Sequence, residues 1–342
     1  MPRPPRAGRP TITDVARRAG VSTAAVSYVM NELPGVSDAT RERILVIAKE
    51  MGWRPSEPAR ALRRARAGAV GLVLSRDPGD LELDPFSVRF LSGVEQTLGG
   101  HDCALVLQML APDGPDVEVA PYLRLMESGR VDGFLLTDPR HADPRFALLA
   151  DTPVPAVVVG QTGGPCPFPV LETDHLAGMT RSVEHLIALG HRRIGFVGGS
   201  DAFEHVRARR EVWKATLHRS GMTPGPSAHA DSGDPTGVRA TASVLESDVT
   251  AIAYTTDMLA IAGMARAREL GREVPATLSI TGLDDSPLAL PSGLTTVWID
   301  YRGLGAAAAA HLMALITGES PPAFEPRPAE LRARTSTAPA TR

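Results

Sequence analysis

The chain has 342 residues, 43% hydrophobic and 22% charged, so it exceeds one typical domain and can bury a large core. Its net charge of −3 conceals an uneven split, with 13 Lys/Arg against 6 Asp/Glu through residue 68 and 23 against 33 beyond it. No apolar run approaches the roughly 20 residues that span a bilayer, and the opening MPRPPRAGRP lacks the apolar core of a secretion signal, so a cytoplasmic protein without membrane contact is expected.

Residues 1–10 carry four prolines and three arginines and are expected to form a disordered arm. Thr11 and Asp14 then make a capping box that opens a helix, which the Gly20-Val21-Ser22 turn stops. Ser22 caps a second helix over about 23–31, and Ser37, after a loop with Pro34 and Gly35, caps a third that ends near Met51-Gly52. Val15, Ala16, Ala19, Val26, Val29, Ile44, Ala48 and their neighbours recur at helical spacing and suffice for one small core. The first turn of the second helix (Thr23, Ala24, Ala25) is small, so its backbone can approach base edges in a major groove. Tyr28 and the hydroxyls of Ser22, Thr23 and Ser27 can reach bases or phosphates. The competing reading is a three-helix cap on an enzyme.

The stretch resembles the DNA-binding headpiece of the lactose/galactose-repressor family of bacterial transcription regulators. The matching pieces are Thr11-x-x-Asp14-Val15-Ala16, Ala19-Gly20-Val21-Ser22, Val26-Ser27-x-Val29-x-Asn31, Val36-Ser37-x-x-Thr40-Arg41 and Ala59-Arg60-x-Leu62. The resemblance implies a helix-turn-helix headpiece over 11–55 and a hinge helix and linker over 56–68. In such a hinge Leu62 wedges into the minor groove while Arg60 and Arg63 hold phosphates. Pro58 departs from a good helix interior but is acceptable in a first turn. The expected DNA contacts are Thr11, Ser22, Thr23, Ala24, Ala25, Ser27, Tyr28, Asn31, Arg60, Leu62 and Arg63.

From residue 69 short apolar runs alternate with amphipathic stretches. Strands are predicted at 70–74, 104–107, 133–136, 156–159, 194–197, 251–254 and 278–281, and helices at 86–98, 117–126, 176–189, 204–220, 236–246 and 258–270. Such alternation predicts an α/β fold with parallel sheets. Here the resemblance continues through Gly93-Val94-Glu95, Val131-Asp132-Gly133, Thr173-Asp174, His185-Leu186-Ile187-x-Leu189-Gly190-His191, Asp257-Met258-x-Ala260, Gly282-Leu283-Asp284-Asp285 and Leu294-Thr295-Thr296-Val297, and it covers nearly the whole chain. It implies a two-lobed, periplasmic-binding-protein-like effector-binding and dimerisation domain over 69–342. Lobe 1 would take about 69–172 and 300–320, and lobe 2 about 173–299 and 321–337, the last strand falling at Leu331-x-x-Arg334-x-Ser336. A ligand would lie between the lobes, outside the carboxyl ends of the strands.

By the same resemblance, Arg209 and Asp284 lead the effector contacts, a five-donor fork and a two-acceptor carboxylate suited to sugar hydroxyls. Val212 replaces the usual glycine of that arginine motif, and Arg207 or Arg210 could stand in for Arg209. Phe86 matches an aromatic that lies over the ligand, its alternative being packing at the start of its helix. His205 shares a helix face with Arg209, and Thr256 stands where the family has asparagine. Asp174 and Asp257 are expected to cap helices. A sugar or sugar derivative is the implied effector, with nucleosides or purines second.

No G-x-S-x-G, H-E-x-x-H, G-x-G-x-x-G or P-loop pattern occurs. Cys103 and Cys166 are too few and too far apart for a disulfide framework or a zinc site, so no catalytic residue, metal or cofactor is expected. The expectation is a regulator, most simply a repressor, that binds roughly palindromic double-stranded operator DNA as a homodimer under allosteric control of a small molecule. The alternative is a solute-binding protein or enzyme with an accessory helical domain. Prolines at 321, 322, 326, 328 and 339 exclude a leucine-heptad helix there, which leaves a dimer rather than a tetramer.

Overall fold

The computed structural model describes residues 10–30, 33–53, 66–75, 85–110, 115–230 and 236–340. Asn31, Arg60, Leu62 and Arg63, expected at the DNA, lie outside the described residues, as do 1–9 of the expected arm. The chain divides into two units, Met1–Ala67 and Gly68–Arg342.

In the first unit, helix α1 (Ile12–Ala19) begins at the reciprocal box. The Asp14 carboxylate accepts from the Thr11 amide at 2.9 Å, and Asp14 N–H reaches the Thr11 hydroxyl at 3.3 Å. Gly20 ends the helix with φ of 67°, a conformation that costs glycine little. Ser22 Oγ accepts from the Ala25 amide at 3.1 Å and so caps α2 (Thr23–Met30). Helix α3 (Asp38–Glu50) starts after Ser37, whose hydroxyl bonds the Thr40 hydroxyl at 3.0 Å instead of capping a backbone amide, contrary to expectation. Val15, Ala16, Ala19, Val26, Val29, Ile44 and Ala48 are buried together as the core. Arg41 reaches back from α3 to the carbonyl of Leu33 at 3.0 Å and to that of Val29, which ties the end of α2 to α3.

The second unit holds two parallel sheets. The first, in order β2-β1-β3-β4-β5, comprises β1 (Ala69–Ser75), β2 (Ala104–Leu110), β3 (Phe134–Leu136), β4 (Ala156–Val159) and β5 (Val170–Leu171). With it run α4 (Pro85–Gly99), α5 (Pro115–Glu127) and α6 (Pro144–Ala150). Leu72, Leu135 and Val157 pack on one face with Phe90 and Val94, and Val73, Phe134, Leu136 and Val158 on the other with Tyr122 and Leu125. A sheet buried on both faces has near-continuous apolar strands, which is why these runs were legible.

The chain enters the second lobe through α7 (His175–Ala188). Its sheet, in order β7-β6-β8-β9, comprises β6 (Ile194–Gly198), β7 (Ser227–His229), β8 (Ala251–Tyr254) and β9 (Ser279–Thr281), with helices α8 (Glu204–Arg219), α9 (Val238–Leu245) and α10 (Asp257–Glu269). After β10 (Thr296–Trp298), α11 (Tyr301–Thr317) returns to pack on α4 and the first sheet, and β11 (Glu330–Arg332) pairs antiparallel with β10. The closeness of α4 and α11 depends on Gly93 and Gly305, where a Cβ would strike the backbone of Arg302 and of Phe90. Helices α6 and α11 and strands β5, β7 and β10 were not anticipated. Helix α11 is rich in alanine and apolar over most of its surface, so it lacks the one-sided pattern that marks an amphipathic helix.

Among the described residues no helix is long and apolar enough to cross a membrane, and no group of three or more His, Cys, Asp and Glu could hold a metal ion.

Candidate functional site

The residues singled out from the sequence that the structure describes are divided between the two units. In the first unit, Thr23 and Ala24 are exposed at the start of α2, Ala25 and Ser27 are half-buried, and Tyr28 is exposed next to Gly35. The first turn of α2 carries no acidic residue, and Arg17 and Arg18 close α1. Thr11 is committed to the capping box, its hydroxyl lying 2.6 Å from an Asp14 carboxylate oxygen. The start of α2 is made of small residues with no acidic side chain in its first turn, and it carries hydroxyls and one phenol.

In the second unit, three polar atoms are buried near the carboxyl ends of adjacent strands without a hydrogen-bond partner among the described residues. They are Thr137 Oγ1 after β3, Gln161 Oε1 after β4 and His175 Nε2 after β5. Buried polar groups rarely stay unpaired, and the carboxyl ends of parallel strands are where open α/β sheets receive ligands.

His175 is 4% exposed and Arg209 6%. Arg209 Nε donates to His175 Nδ1 at 3.3 Å, and its Nη1 donates to the Thr255 carbonyl at 3.0 Å. Burial, with the charge of Arg209 and the nearness of His205, pushes His175 well below the usual histidine range. The neutral ring accepts at Nδ1, which assigns its proton to the unpaired Nε2. Of the three candidate arginines, Arg209 alone is buried. Arg207 is exposed, and Arg210 is engaged with Asp201 at 2.6 Å and His229 at 2.8 Å. Val212, in place of glycine, packs on the core beneath α8.

Asp284 is 4% exposed, and its carboxylate accepts from the Tyr301 hydroxyl at 2.6 Å. Phe86 stands edge-on to Tyr301 at 5.1 Å and stacks on Phe90 at 5.4 Å, so the structure gives its ring a packing role. His205 faces Asp138, with Nδ1 and Oδ1 3.9 Å apart, and stacks on Phe203. Thr256 serves as the cap of α10, its hydroxyl accepting from the Leu259 amide at 3.3 Å.

Two expected caps fall elsewhere. The cap of α10 is Thr256, not Asp257, whose buried carboxylate instead takes the Ser286 amide at 2.6 Å and the Thr296 hydroxyl, with burial raising its pKa. Asp174 stands at the start of α7 but accepts from the Ala329 amide at 2.9 Å, which fastens the C-terminal segment instead of the helix.

The lobes also touch directly. The Glu204 amide donates to the Pro139 carbonyl at 3.0 Å, the Arg140 guanidinium lies over the Phe203 ring at 5.2 Å, and His141 Nδ1 is 3.3 Å from the Glu204 carboxylate. The loop behind this contact is held by a buried pair, Arg145 and Asp143 at 2.6 Å, with Arg145 also donating to the carbonyls of Thr137 and Asp138. Thr137, Gln161, His175 and Tyr301 were missed as candidates. The readable signal was position, since Thr137 directly follows one predicted apolar run and Gln161 follows another by two residues.

Residues 11–56 match the family described as bacterial regulatory proteins, lacI family, and residues 183–337 match a periplasmic binding protein-like domain. The HTH-type transcriptional regulator reg1 of Streptomyces lividans is 32% identical over 328 residues, 92% of each chain. A solved lac repressor dimer, bound to operator and the anti-inducer ONPF, is 26% identical with a TM-score of 0.85, over 97% of this chain and 100% of that one. A complex of the transcriptional regulator CelR with cellobiose is 29% identical with a TM-score of 0.71, over 96% and 100% of the two chains.

Proposed function

The chain belongs to the lacI family of bacterial regulatory proteins, and from that premise we propose that it is a cytoplasmic, non-catalytic repressor whose hold on operator DNA is controlled by a sugar or sugar derivative. The DNA-binding and regulatory role comes with the family. The choice of effector rests chiefly on the unpaired atoms of Thr137, Gln161 and His175, the last of these hydrogen-bonded to Arg209. They combine a hydroxyl, an acceptor and a donor, which suits the hydroxyls of a sugar, each able both to give and to accept.

Arg209, Asp284, His205 and Thr256 would surround that ligand. A lac repressor dimer bound to operator and CelR bound to cellobiose are the solved relatives that support DNA and a sugar as partners. A second copy would cover the edge strand β2, where Leu107 is exposed. Two headpieces then read a roughly palindromic operator through Ser22, Thr23, Ala24, Ala25, Ser27 and Tyr28, with Thr11 at the backbone. From the sequence, Asn31, Arg60, Leu62 and Arg63 complete the contact.

The test is a thermal-shift screen of the full chain against sugars, sugar phosphates, nucleosides and purines. Ligand at ~100 times its dissociation constant adds ~2.7 kcal/mol and raises the midpoint by several degrees. A nucleoside hit with no sugar hit would refute the choice of effector.

A further inference from the structure

Arg89, on α4 of the first lobe, donates Nη1 to the Asp284 carbonyl at 2.7 Å and Nη2 to the Asp285 carbonyl at 2.5 Å, both in the second lobe. The two acceptors are the backbone of a strained turn. Asp284 has φ of 129° and Asp285 of 52°, values that residues with a Cβ rarely adopt unless their surroundings hold them there.

On the second-lobe side the turn is fixed from within. The Asp284 amide donates to the Val297 carbonyl at 2.9 Å, and Arg334 Nη2 donates to the Asp285 carboxylate at 2.6 Å. From the returning helix α11, Tyr301 binds the Asp284 carboxylate. Phe86, one turn before Arg89 on α4, packs against that same tyrosine. The first two turns of α4 therefore meet Asp284 twice, at its backbone through Arg89 and at its side chain through Tyr301. A guanidinium suits the first task because its planar fork holds two parallel N–H groups at the spacing of neighbouring acceptors, whereas an ammonium is a single point of charge.

We propose that Arg89 is a positioning residue for the cleft. By clamping the carbonyls of Asp284 and Asp285 it couples the orientation of the Asp284 side chain to the orientation of the first lobe. A change at one then moves the other. The clamp stands whatever the cleft binds. Its use in regulation rests on the reading that the cleft holds the effector.

The experiment measures the distance between lobes in the full chain without ligand. Glu127→Cys in the first lobe and Glu269→Cys in the second are spin-labelled in a Cys103→Ser, Cys166→Ser background, diluted with unlabelled chain, and read by double electron–electron resonance. With Arg89 present, one narrow distribution is expected. Arg89→Gln should broaden it or add a second population, and Arg89→Lys should fall between. A distribution for Arg89→Gln that superimposes on the parent overturns the clamp. Should the Gln variant fail to fold, Arg89→Lys carries the test with the same two outcomes. Sugar added to the parent is a separate arm, and an unmoved distribution there counts against the sugar reading alone.

Discussion

His175 and Arg209 meet through a single hydrogen bond, imidazole Nδ1 accepting from guanidinium Nε at 3.3 Å, so the histidine must stay neutral for the arginine to keep this partner. In the unfolded chain His175 titrates near 6.5, and in the folded chain well below that value. The folded state therefore resists a proton that the unfolded state accepts. The contribution to stability is full above pH 6.5 and declines as the pH falls toward the folded value, by at most about 1.4 kcal/mol per pH unit for this one group. His185 and His191 are lowered by burial too and act in the same direction. Thermal midpoints between about pH 5 and about pH 8 should fall on the acid side, and His175→Gln should flatten that slope.

Arg209→Lys should separate binding from folding. It leaves His175 Nδ1 and the Thr255 carbonyl without their donor, a loss of about 1–3 kcal/mol in folding stability. It should also abolish the midpoint rise given by whichever sugar raises the parent. A variant that keeps the full rise would show that the arginine does not touch the ligand.

Gly93→Ala tests the pairing of α4 with α11. The added Cβ meets the backbone of Arg302 and Ala306, which cannot rotate away as a side chain can. Overpacking of this kind costs about 1–3 kcal/mol, measurable by urea denaturation. The equivalent change at Gly99, which has open space around it, should cost less and serves as the control.

Tyr28→Ala distinguishes base reading from phosphate holding. If Tyr28 reads bases, affinity for the preferred duplex falls while affinity for random duplex and the slope of log affinity against log salt stay unchanged. Equal losses on both duplexes, again with an unchanged slope because a neutral phenol displaces no counterion, would instead place Tyr28 at phosphates.

The sequence disclosed what is encoded locally. Thr11 with Asp14, Gly20 and Ser22 are read within a few residues of one another, and each forms the bond its spacing implies. The strands of two buried parallel sheets were legible as apolar runs for the same reason. Where two neighbours compete for one role, sequence did not decide. Thr256 and Asp257 both suit a helix start, and burial drew the carboxylate to Ser286 and Thr296 instead. The buried polar groups beyond the strand ends were least legible. Thr137, Gln161 and His175 are separated in sequence by 24 and 14 residues, and only the order of β3, β4 and β5 makes them neighbours. Arg89 lies 195 residues from the carbonyl of Asp284, and no local pattern marks an arginine for so distant a partner.

The most direct test of the whole account is an anisotropy titration of the full chain on the duplex it selects from a random library, at fixed salt, with and without a sugar that raises its melting midpoint. A sugar-controlled repressor should bind a roughly palindromic duplex tightly and sequence-specifically, with affinity changing roughly 5-fold to 150-fold when the sugar is present. Equal affinity with and without a sugar that demonstrably binds would contradict that reading, because the cleft would then not be coupled to the headpiece.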